Sequence, residues 1–225
     1  VWSDGSNAMI SRSLDDGASF STPTVAGLGS TSIHMATDGS HVYLIDRPGN
    51  TILVSVDNGL SFIPTALGAS QVFSDIHVDQ KTHEVIAVLD NPAVKYFTSS
   101  DFGTTFSSQI DPVPGGDIFF SVGTVSSGSN GRFMFVSGSN TNALKVNLNT
   151  DTSETLVFGN NTSSQGRSLT SDSCGNVVDG FVNGGDVKFR ISNDLGVSFG
   201  SEQTVAAADA ANVFINPTNG DILYL

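Results

Sequence analysis

The sequence has few of the features by which many protein classes are recognised. Its 225 residues include a single cysteine, Cys174, so no disulfide forms within the chain. Cys174 lies in no C-x-x-C motif, which argues against a zinc or redox role and for a small buried or turn residue. No apolar run approaches the roughly 18 residues of a membrane span. No amphipathic stretch of about ten residues indicates a helix.

Basic residues are also scarce. Nine Lys and Arg stand against 22 Asp and Glu, giving a formal net charge of -13. This balance argues against a nucleic-acid partner and against an anionic membrane surface, because both require clustered cations. The acidic, lysine-poor composition suits a secreted or cell-surface protein. The opening Val1-Trp2 lacks a signal peptide, as expected of a mature or excised segment.

One eight-residue pattern, S-x-D-x-G-x-[S/T]-F, recurs along the chain. Its copies begin at Ser13, Ser55, Ser99 and Ser192, with spacings of 42, 44 and 93 residues. The last spacing is about twice the others, so a degenerate copy is expected midway. Residues 147–153 keep the polar turn residues there but have lost the Gly and the Phe. Five units of about 45 residues therefore account for the chain.

Each unit shows four short strands, A to D, separated by Gly, Asn, Pro and Asp. In the first full unit the strands are expected at 32–37, 41–46, 51–56 and 62–67. Four-stranded units of this length predict an all-β fold, a β-propeller of about five antiparallel blades in one domain, 1–225. The approximate blades are 30–71, 72–117, 118–166, 167–210, and 211–225 joined with 1–29. If the ring closes, the two chain ends are neighbouring strands.

The repeated motif is typical of a hairpin turn between strands C and D. The Gly supplies a positive φ, and the Asp carboxylate accepts backbone N–H bonds within the turn. The Phe is expected to face inward as an apolar plug. These residues are therefore predicted to be structural: Asp15, Gly17, Phe20, Asp57, Gly59, Phe62, Asp101, Gly103, Phe106, Asp194, Gly196 and Phe199.

With four good copies and one degenerate copy over the full length, the motif resembles the Asp-box, or bacterial neuraminidase repeat. That repeat occurs in sialidases, in sortilin-type receptors and in some fungal lectins. The resemblance implies a β-propeller and leaves the activity open, because such folds carry many functions. In the sialidase-like fold the Asp-boxes lie at the periphery, on the face opposite the substrate site.

The catalytic set that this resemblance would imply is incomplete. Sialidases hold a carboxylate with three Arg and use a Tyr–Glu pair and an acidic residue. Arg12 and Arg190 directly precede motif copies, and Arg132 falls on the predicted Asp-box face. Only Arg47 and Arg167 remain for the opposite face. The tyrosines Tyr43, Tyr96 and Tyr224 lack an obvious Glu partner, so the chain is predicted not to be an enzyme.

A binding site is expected on the loops opposite the Asp-box turns, where the B–C loops each carry Asp or Asn. Such side chains can grip sugar hydroxyls or a hard cation such as calcium, although they also simply make good turns. No D-x-[DN]-x-[DN]-G loop is present, so calcium is the weaker hypothesis, and no cofactor or other metal is predicted. The candidate ligand-binding residues are Asp4, Asp46, Arg47, Asp75, Asp90, Arg167 and Asp186.

The leading hypothesis is a non-catalytic β-propeller module of a secreted or cell-surface protein. It would serve recognition, adhesion or assembly, with a glycan or a surface protein as partner. One alternative is a sialidase-like glycoside hydrolase, which requires Arg47, Arg167 and a third cation to converge on one pocket. Another is a structural subunit or fragment of a larger extracellular protein, in which free edge strands pair with another chain.

Overall fold

The structure, a computed structural model, describes thirteen ranges of the chain: 1–28, 33–46, 51–67, 73–89, 94–112, 119–128, 131–138, 142–157, 168–172, 174–183, 185–207, 213–215 and 222–224. All regular elements in these ranges are β-strands, so the all-β prediction is confirmed. No described segment forms a helix that is long and apolar enough to cross a bilayer.

The chain divides into two compact units. The first contains Val1–Asp90 and Tyr96–Gln109, and the second contains Asn91–Lys95 and Ile110–Leu225. Three antiparallel sheets belong to the first unit and three to the second. The predicted closure of all repeats into one ring, with 211–225 joined to 1–29, stays a prediction.

The first unit contains a sheet in the order β1-β2-β3, one in the order β4-β5-β6-β7, and one in the order β10-β9-β8. The strands are β1 (Trp2–Ser3), β2 (Asn7–Ile10), β3 (Thr24–Leu28), β4 (Ile33–Thr37), β5 (Val42–Asp46), β6 (Thr51–Ser55), β7 (Ile63–Ala66), β8 (Phe73–Val78), β9 (Val85–Leu89) and β10 (Lys95–Ser99). The four strands predicted from 32 to 67 are confirmed, each within one residue at either end.

The second unit contains two four-stranded sheets, β11-β12-β13-β14 and β15-β16-β17-β18, and the pair β19-β20. Its strands are β11 (Phe119–Gly128), β12 (Gly131–Gly138), β13 (Asn142–Asn147), β14 (Thr152–Val157), β15 (Ser168–Ser171), β16 (Val177–Asn183), β17 (Asp186–Ser192), β18 (Gln203–Ala207), β19 (Val213–Ile215) and β20 (Ile222–Tyr224).

The cores lie between neighbouring sheets within a unit. In the first unit, Tyr43 and Ile52 of one sheet pack with Phe73, Ala87 and other buried residues of the next. In the second unit, the cluster of Phe135 and Ala143 with Leu169 and Val177 joins two sheets in the same way. The first strand of a sheet also lies beside the first strand of the next, as β4 does with β8 and β11 with β15. Sheets packed face to face at their inner strands are the arrangement of propeller blades.

The four motif copies form one hydrogen-bonded turn, which we call the Asp-Gly turn. In the copy at Ser55, the Ser55 hydroxyl donates to Asp57 Oδ1 at 2.8 Å and accepts from the Gly59 N–H at 2.7 Å. The Ser61 N–H donates to Asp57 Oδ1, and its hydroxyl donates to Oδ2 at 2.6 Å. The copies at Ser13, Ser99 and Ser192 repeat these four bonds with distances of 2.5 to 2.9 Å.

Two successive residues of each Asp-Gly turn have positive φ. The Gly is the second of them, with φ between 73° and 89°. The residue before it is not Gly, yet Asn58 and Phe102 have φ of 56° and 58°, as their counterparts do in the other copies. A left-handed conformation costs such residues about 1–2 kcal/mol. The carboxylate bonds on either side hold the chain in this conformation, as expected for a hairpin turn with two left-handed central residues.

The degenerate copy also connects strands C and D, because its turn joins β13 to β14. Here the Asn147 carbonyl accepts from the Asp151 N–H at 2.9 Å, and the Asn147 side chain accepts from the Asn149 N–H at 2.9 Å. Asp151 has φ of 54° and takes the left-handed position without a following Gly. The hairpin is thus kept while the carboxylate network is lost.

Three of the turn glycines rest directly on the preceding sheet of their unit. A Cβ atom at Gly59 would lie 3.0 Å from Ile10, one at Gly103 would lie 2.9 Å from Val54, and one at Gly196 would lie 2.7 Å from Phe135. At Gly17, in the first copy, no atom of the described ranges lies within 4 Å of that position. The glycine therefore has two roles, backbone conformation and close approach, and only the first operates at Gly17.

The expectation that each motif Phe faces inward is wrong for Phe20. Phe106 and Phe199 pack against the inter-sheet cores, and Phe62 is half-buried. Phe20 is instead 67% exposed. The physical reason is that this Phe is buried where its turn rests on another sheet, and no atom of the described residues lies within 4 Å of the Cβ position of Gly17 in the turn of Phe20.

The two glycine roles predict unequal effects of one substitution. Gly17→Ala should cost about 1–2 kcal/mol of unfolding free energy, because only the left-handed backbone is penalised. Gly103→Ala should cost about 1–3 kcal/mol more, because its methyl group would overlap Val54 and Tyr43. Urea denaturation of the two variants measures the difference. Equal losses would show that the contact with the preceding sheet is not tight.

Candidate functional site

The predicted binding residues fall into two groups. Asp4, Asp46, Asp75 and Asp186 lie within the described ranges, whereas Arg47, Asp90 and Arg167 lie outside them. Asp4 is in the turn between β1 and β2, Asp46 ends β5, and Asp186 begins β17. Within each sheet these positions lie at the end opposite the Asp-Gly turn, because strand C begins at the B–C loop and ends at that turn. Their role in binding stays a prediction.

Asp4 uses its carboxylate within its own turn. Oδ1 accepts the N–H groups of Ser6 at 2.9 Å and Asn7 at 2.7 Å, and Oδ2 accepts from the Asn7 side chain at 3.4 Å. The Ser6 and Asn7 backbone bonds lower the pKa of Asp4 because they favour its ionised form. This geometry matches the alternative explanation that Asp recurs here because it makes good turns.

Asp75 lies in a polar cluster that joins two sheets. Its Oδ1 is 3.1 Å from Nδ1 of His34 on β4, and its Oδ2 is 3.3 Å from Nε2 of His77 on β8. Oδ1 also accepts the Ile76 N–H at 2.8 Å. The Asp75 side chain is 16% exposed and that of His34 is 39% exposed, so the cluster reaches the surface on the His34 side.

The electrostatics of this cluster favour an ionised Asp75. Burial acts to raise the pKa of Asp75, but the charge of His77 and the hydrogen bond with His34 outweigh it and hold the pKa well below its usual range. The cluster therefore presents imidazole groups oriented by a fixed carboxylate, which can donate or accept hydrogen bonds. Among the described residues, no three His, Cys, Asp or Glu side chains are placed to share one metal ion.

The described arginines are engaged within their own surroundings. The Arg12 guanidinium donates to the Asn58 carbonyl at 3.1 Å, beside an Asp-Gly turn. Arg190 is buried, with Nε 3.2 Å from Asp179 and its guanidinium carbon 4.6 Å from the Phe181 ring centroid. Arg47 and Arg167, which the hydrolase hypothesis needs, lie outside the described ranges. A sialidase-like pocket thus stays a prediction.

Two apolar grooves in the first unit were not anticipated from the sequence. The first, the Arg12 groove, has a volume of about 550 Å³ and lies against the Asp57 turn; its lining includes Ile10, Arg12, Leu14, Met35, Asn58 and Leu60. The second, the Phe102 groove, has a volume of about 570 Å³ and lies between β7 and the Asp101 turn; its lining includes His41, Val56, Ile63, Pro64, Phe102 and Thr104. Both fall within the size range of ligand pockets.

A signal for these grooves exists in the motif itself. The positions marked x differ among the four copies, and several copies carry large apolar residues there. Leu14 is 93% exposed, Leu60 is 66% exposed and Phe102 is 44% exposed. Apolar residues at turn positions that do not require them indicate a surface with another use.

The Asp75 cluster predicts a specific titration behaviour. Replacing both His34 and His77 with Ala should raise the pKa of Asp75 by about one unit or more, because only the Ile76 N–H bond would then oppose the effect of burial. In the intact protein, the folded-state pKa lies below the unfolded value, so Asp75 stabilises the fold above about pH 4 and this contribution is lost as the pH falls.

Carboxyl NMR titration of the intact chain and the double variant measures this shift. Asp57 is the internal control, since the hydrogen bonds that lower its pKa to about 2, foremost from Ser61, involve neither imidazole. An unchanged pKa of Asp75 in the variant would contradict the assignment of its stabilisation to the imidazoles.

Comparison with known proteins places the fold. No protein-family profile matches the sequence, and no curated protein matches it. Among the many solved structures that are similar to the chain, three illustrate the likeness. Kuenenia stuttgartiensis hydrazine synthase has a TM-score of 0.65 at 10% identity over 85% of this chain and 54% of that one. The YCF48 structure, titled as bound to D1 peptide, has a TM-score of 0.59 at 14% identity over 94% and 65%. A nidogen/laminin complex has a TM-score of 0.67 at 12% identity over 98% and 82%.

This chain spans 54% and 65% of the length of the first two of these chains. All three are β-propeller proteins, and at these identities the likeness concerns the fold alone. Together with the antiparallel sheets of three and four strands, it confirms the predicted class: the chain has a β-propeller fold.

Proposed function

We propose that this chain is a non-catalytic recognition module of the Asp-box β-propeller type, acting in adhesion or assembly within a secreted or cell-surface protein. The Asp-box assignment is supported by four turns with the same four hydrogen bonds around Ser, Asp, Gly and Ser or Thr. The secreted or surface setting is supported by the acidic composition, with a net charge of -13.

One observation carries the recognition role, namely the exposed apolar side chains along the two grooves. Leu60 and Met35 border the Arg12 groove with 66% and 51% exposure. Val56 and Ile63 border the Phe102 groove with 64% and 63% exposure. Contiguous apolar surface of this kind marks interaction sites in soluble proteins, since leaving it in water is unfavourable. A protein partner that covers both grooves would remove this area from solvent.

The fold neighbours are compatible with this role. By their titles, one is bound to a peptide and another is part of a complex between two proteins. These statements concern those proteins. For the present chain they support only the inference that a propeller of this size offers surfaces suited to macromolecular partners.

A second candidate is glycan binding at the opposite end of the sheets. The Asp75 cluster favours it, because a fixed carboxylate with the imidazoles of His34 and His77 can exchange hydrogen bonds with sugar hydroxyls. Asp186 and Asp46 lie at the same end of their own sheets. This candidate retains the site predicted from the sequence.

The two sites are distinguished by matched variants of the intact chain, probed on immobilised peptide and glycan arrays. The pair Leu60→Ser and Ile63→Ser should weaken peptide binding by about tenfold, because each removes a large exposed apolar contact. Asp186→Asn, at the opposite end, should leave peptide binding unchanged. The stability of all variants should stay within about 0.5 kcal/mol, because the positions are surface-exposed or partly exposed.

Glycan binding that is lost in Asp186→Asn and insensitive to the groove variants would favour the second candidate instead. Turnover of fluorogenic sialosides by the intact chain would overturn the non-catalytic assignment. Absence of any groove-dependent binding on either array would contradict the recognition role of the grooves.

A further inference from the structure

The Phe102 groove contains a rigid aromatic wall. The Phe102 ring stacks on His41 with centroids 4.7 Å apart and an interplanar angle of 19°. His41 is itself held in place, because its ring Nδ1 lies 3.0 Å from Asp38 Oδ2. The backbone N–H of His41 also donates to Asp38 Oδ1 at 2.7 Å. Phe102 nevertheless remains 44% exposed. Its ring is thus fixed in place while part of its surface faces the groove.

The opposite wall is aliphatic and comes from the edge strand β7. Ile63 and Pro64 line it, and the Thr65 hydroxyl donates to the Gly103 carbonyl at 3.1 Å, which ties the strand to the turn. Pro64 has no N–H group and so disfavours pairing of a further strand along this edge. A ligand would therefore enter the groove with side chains rather than add a strand to the sheet.

The neighbouring Arg12 groove shows what the same kind of turn can hold. There the chain's own Arg12 lies along the turn, with Cδ 3.5 Å from where a Gly59 Cβ would be. Its guanidinium donates to the Asn58 carbonyl at 3.1 Å. Asn58 is the residue between the Asp and the Gly of that turn. In the first groove, an arginine of the chain itself thus lines the wall and donates to the turn carbonyl.

The Phe102 groove has the same turn without the arginine. Val54, one residue before the motif serine, stands at the position that Arg12 has in the preceding sheet, and Phe102 stands at the position of Asn58. Among the described residues, no hydrogen bond to the Phe102 carbonyl is found. Asp101 is among the residues that line the groove, and its carboxylate carries a negative charge, since hydrogen bonds, foremost from Thr105, lower its pKa to about 2.

From this difference we infer that the Phe102 groove binds an arginine side chain, flanked by apolar residues, of a protein partner. Its guanidinium takes the place that Arg12 has in the first groove, donating to the Phe102 carbonyl and facing the Asp101 carboxylate. Its aliphatic stem packs on Ile63 and Pro64, and the Phe102 ring provides a cation–π surface. The net charge of -13 favours the approach of such a cationic segment.

This inference rests on the proposed recognition role and names its chemistry. The test uses two capped tripeptides, acetyl-Val-Arg-Leu-amide and acetyl-Val-Gln-Leu-amide, titrated into the isotope-labelled intact chain by NMR. The arginine peptide should shift the amide signals of Ile63, Phe102 and Thr104, with an affinity about fivefold or more above that of the glutamine peptide. Added salt should reduce this difference, because the carboxylate lies near the surface.

Phe102→Asn is the decisive variant. Asn is the residue at the equivalent position 58, where φ is 56° compared with 58° at Phe102, so the turn should be kept. The variant should lower the affinity for the arginine peptide by about fivefold or more. Ile63→Thr is a second variant that spares the turn. The matched control is Val197→Thr, which removes a 76% exposed apolar side chain from another Asp-Gly turn and should change nothing.

Three results would overturn the inference. They are no shift of the groove signals up to about 10 mM arginine peptide, equal binding of the glutamine peptide, and arginine binding that Phe102→Asn and Ile63→Thr leave intact. Equal binding of both peptides, lost in Phe102→Asn, would keep the groove as a recognition surface and refute only its preference for arginine. Array binding by a glycan through the same groove would refute the peptide partner itself.

Discussion

The carboxylate of the motif aspartate organises the turn in four of the five repeats. In the copy at Ser99, Asp101 accepts from the Ser99 hydroxyl before it and from both the N–H and the hydroxyl of Thr105 after it. One ionised group therefore fixes both sides of a loop whose two central residues are left-handed. Because these bonds lie within seven residues, the turn forms from local sequence and does not depend on what it contacts. The strands on either side inherit their register from it.

A turn fixed by its own bonds leaves the remaining positions free to vary. The residue between the Asp and the Gly is Asp16, Asn58, Phe102 or Leu195, with φ between 55° and 58° in all four copies. The surroundings of these side chains differ: the Phe102 ring stacks on His41 of the preceding sheet, whereas Leu195 is buried against Gly175 of its own sheet. The fold therefore keeps one turn conformation, while each turn carries a different side chain at this position. The contrast between the Arg12 and Phe102 grooves arises in this way.

The opposite end of the sheets follows another principle. The Asp4 carboxylate accepts hydrogen bonds from its own turn, whereas the largely buried Asp75 carboxylate lies beside two imidazoles from two strands. Both carboxylates are ionised, but Asp4 is satisfied within its own turn, whereas Asp75 is contacted both by its own strand and by His34 of the neighbouring sheet. A polar group that bridges sheets both links them and keeps hydrogen-bonding groups at the surface. The same residue type thus serves a turn in one repeat and a candidate site in another.

The sequence by itself determined the period of about 45 residues, the place of every Asp-Gly turn and the strands of the first full unit. Those features depend on contacts within a few residues, where glycine, aspartate and alternating apolar residues act directly. Tertiary structure decided whether Phe20 is buried, how His34 and His77 meet Asp75, and where the two apolar grooves lie. These depend on packing between sheets that are distant in sequence, such as that of Gly103 on Val54. The repeated motif gives each turn the same local structure, but it does not reveal which side chain of the preceding sheet packs against each turn.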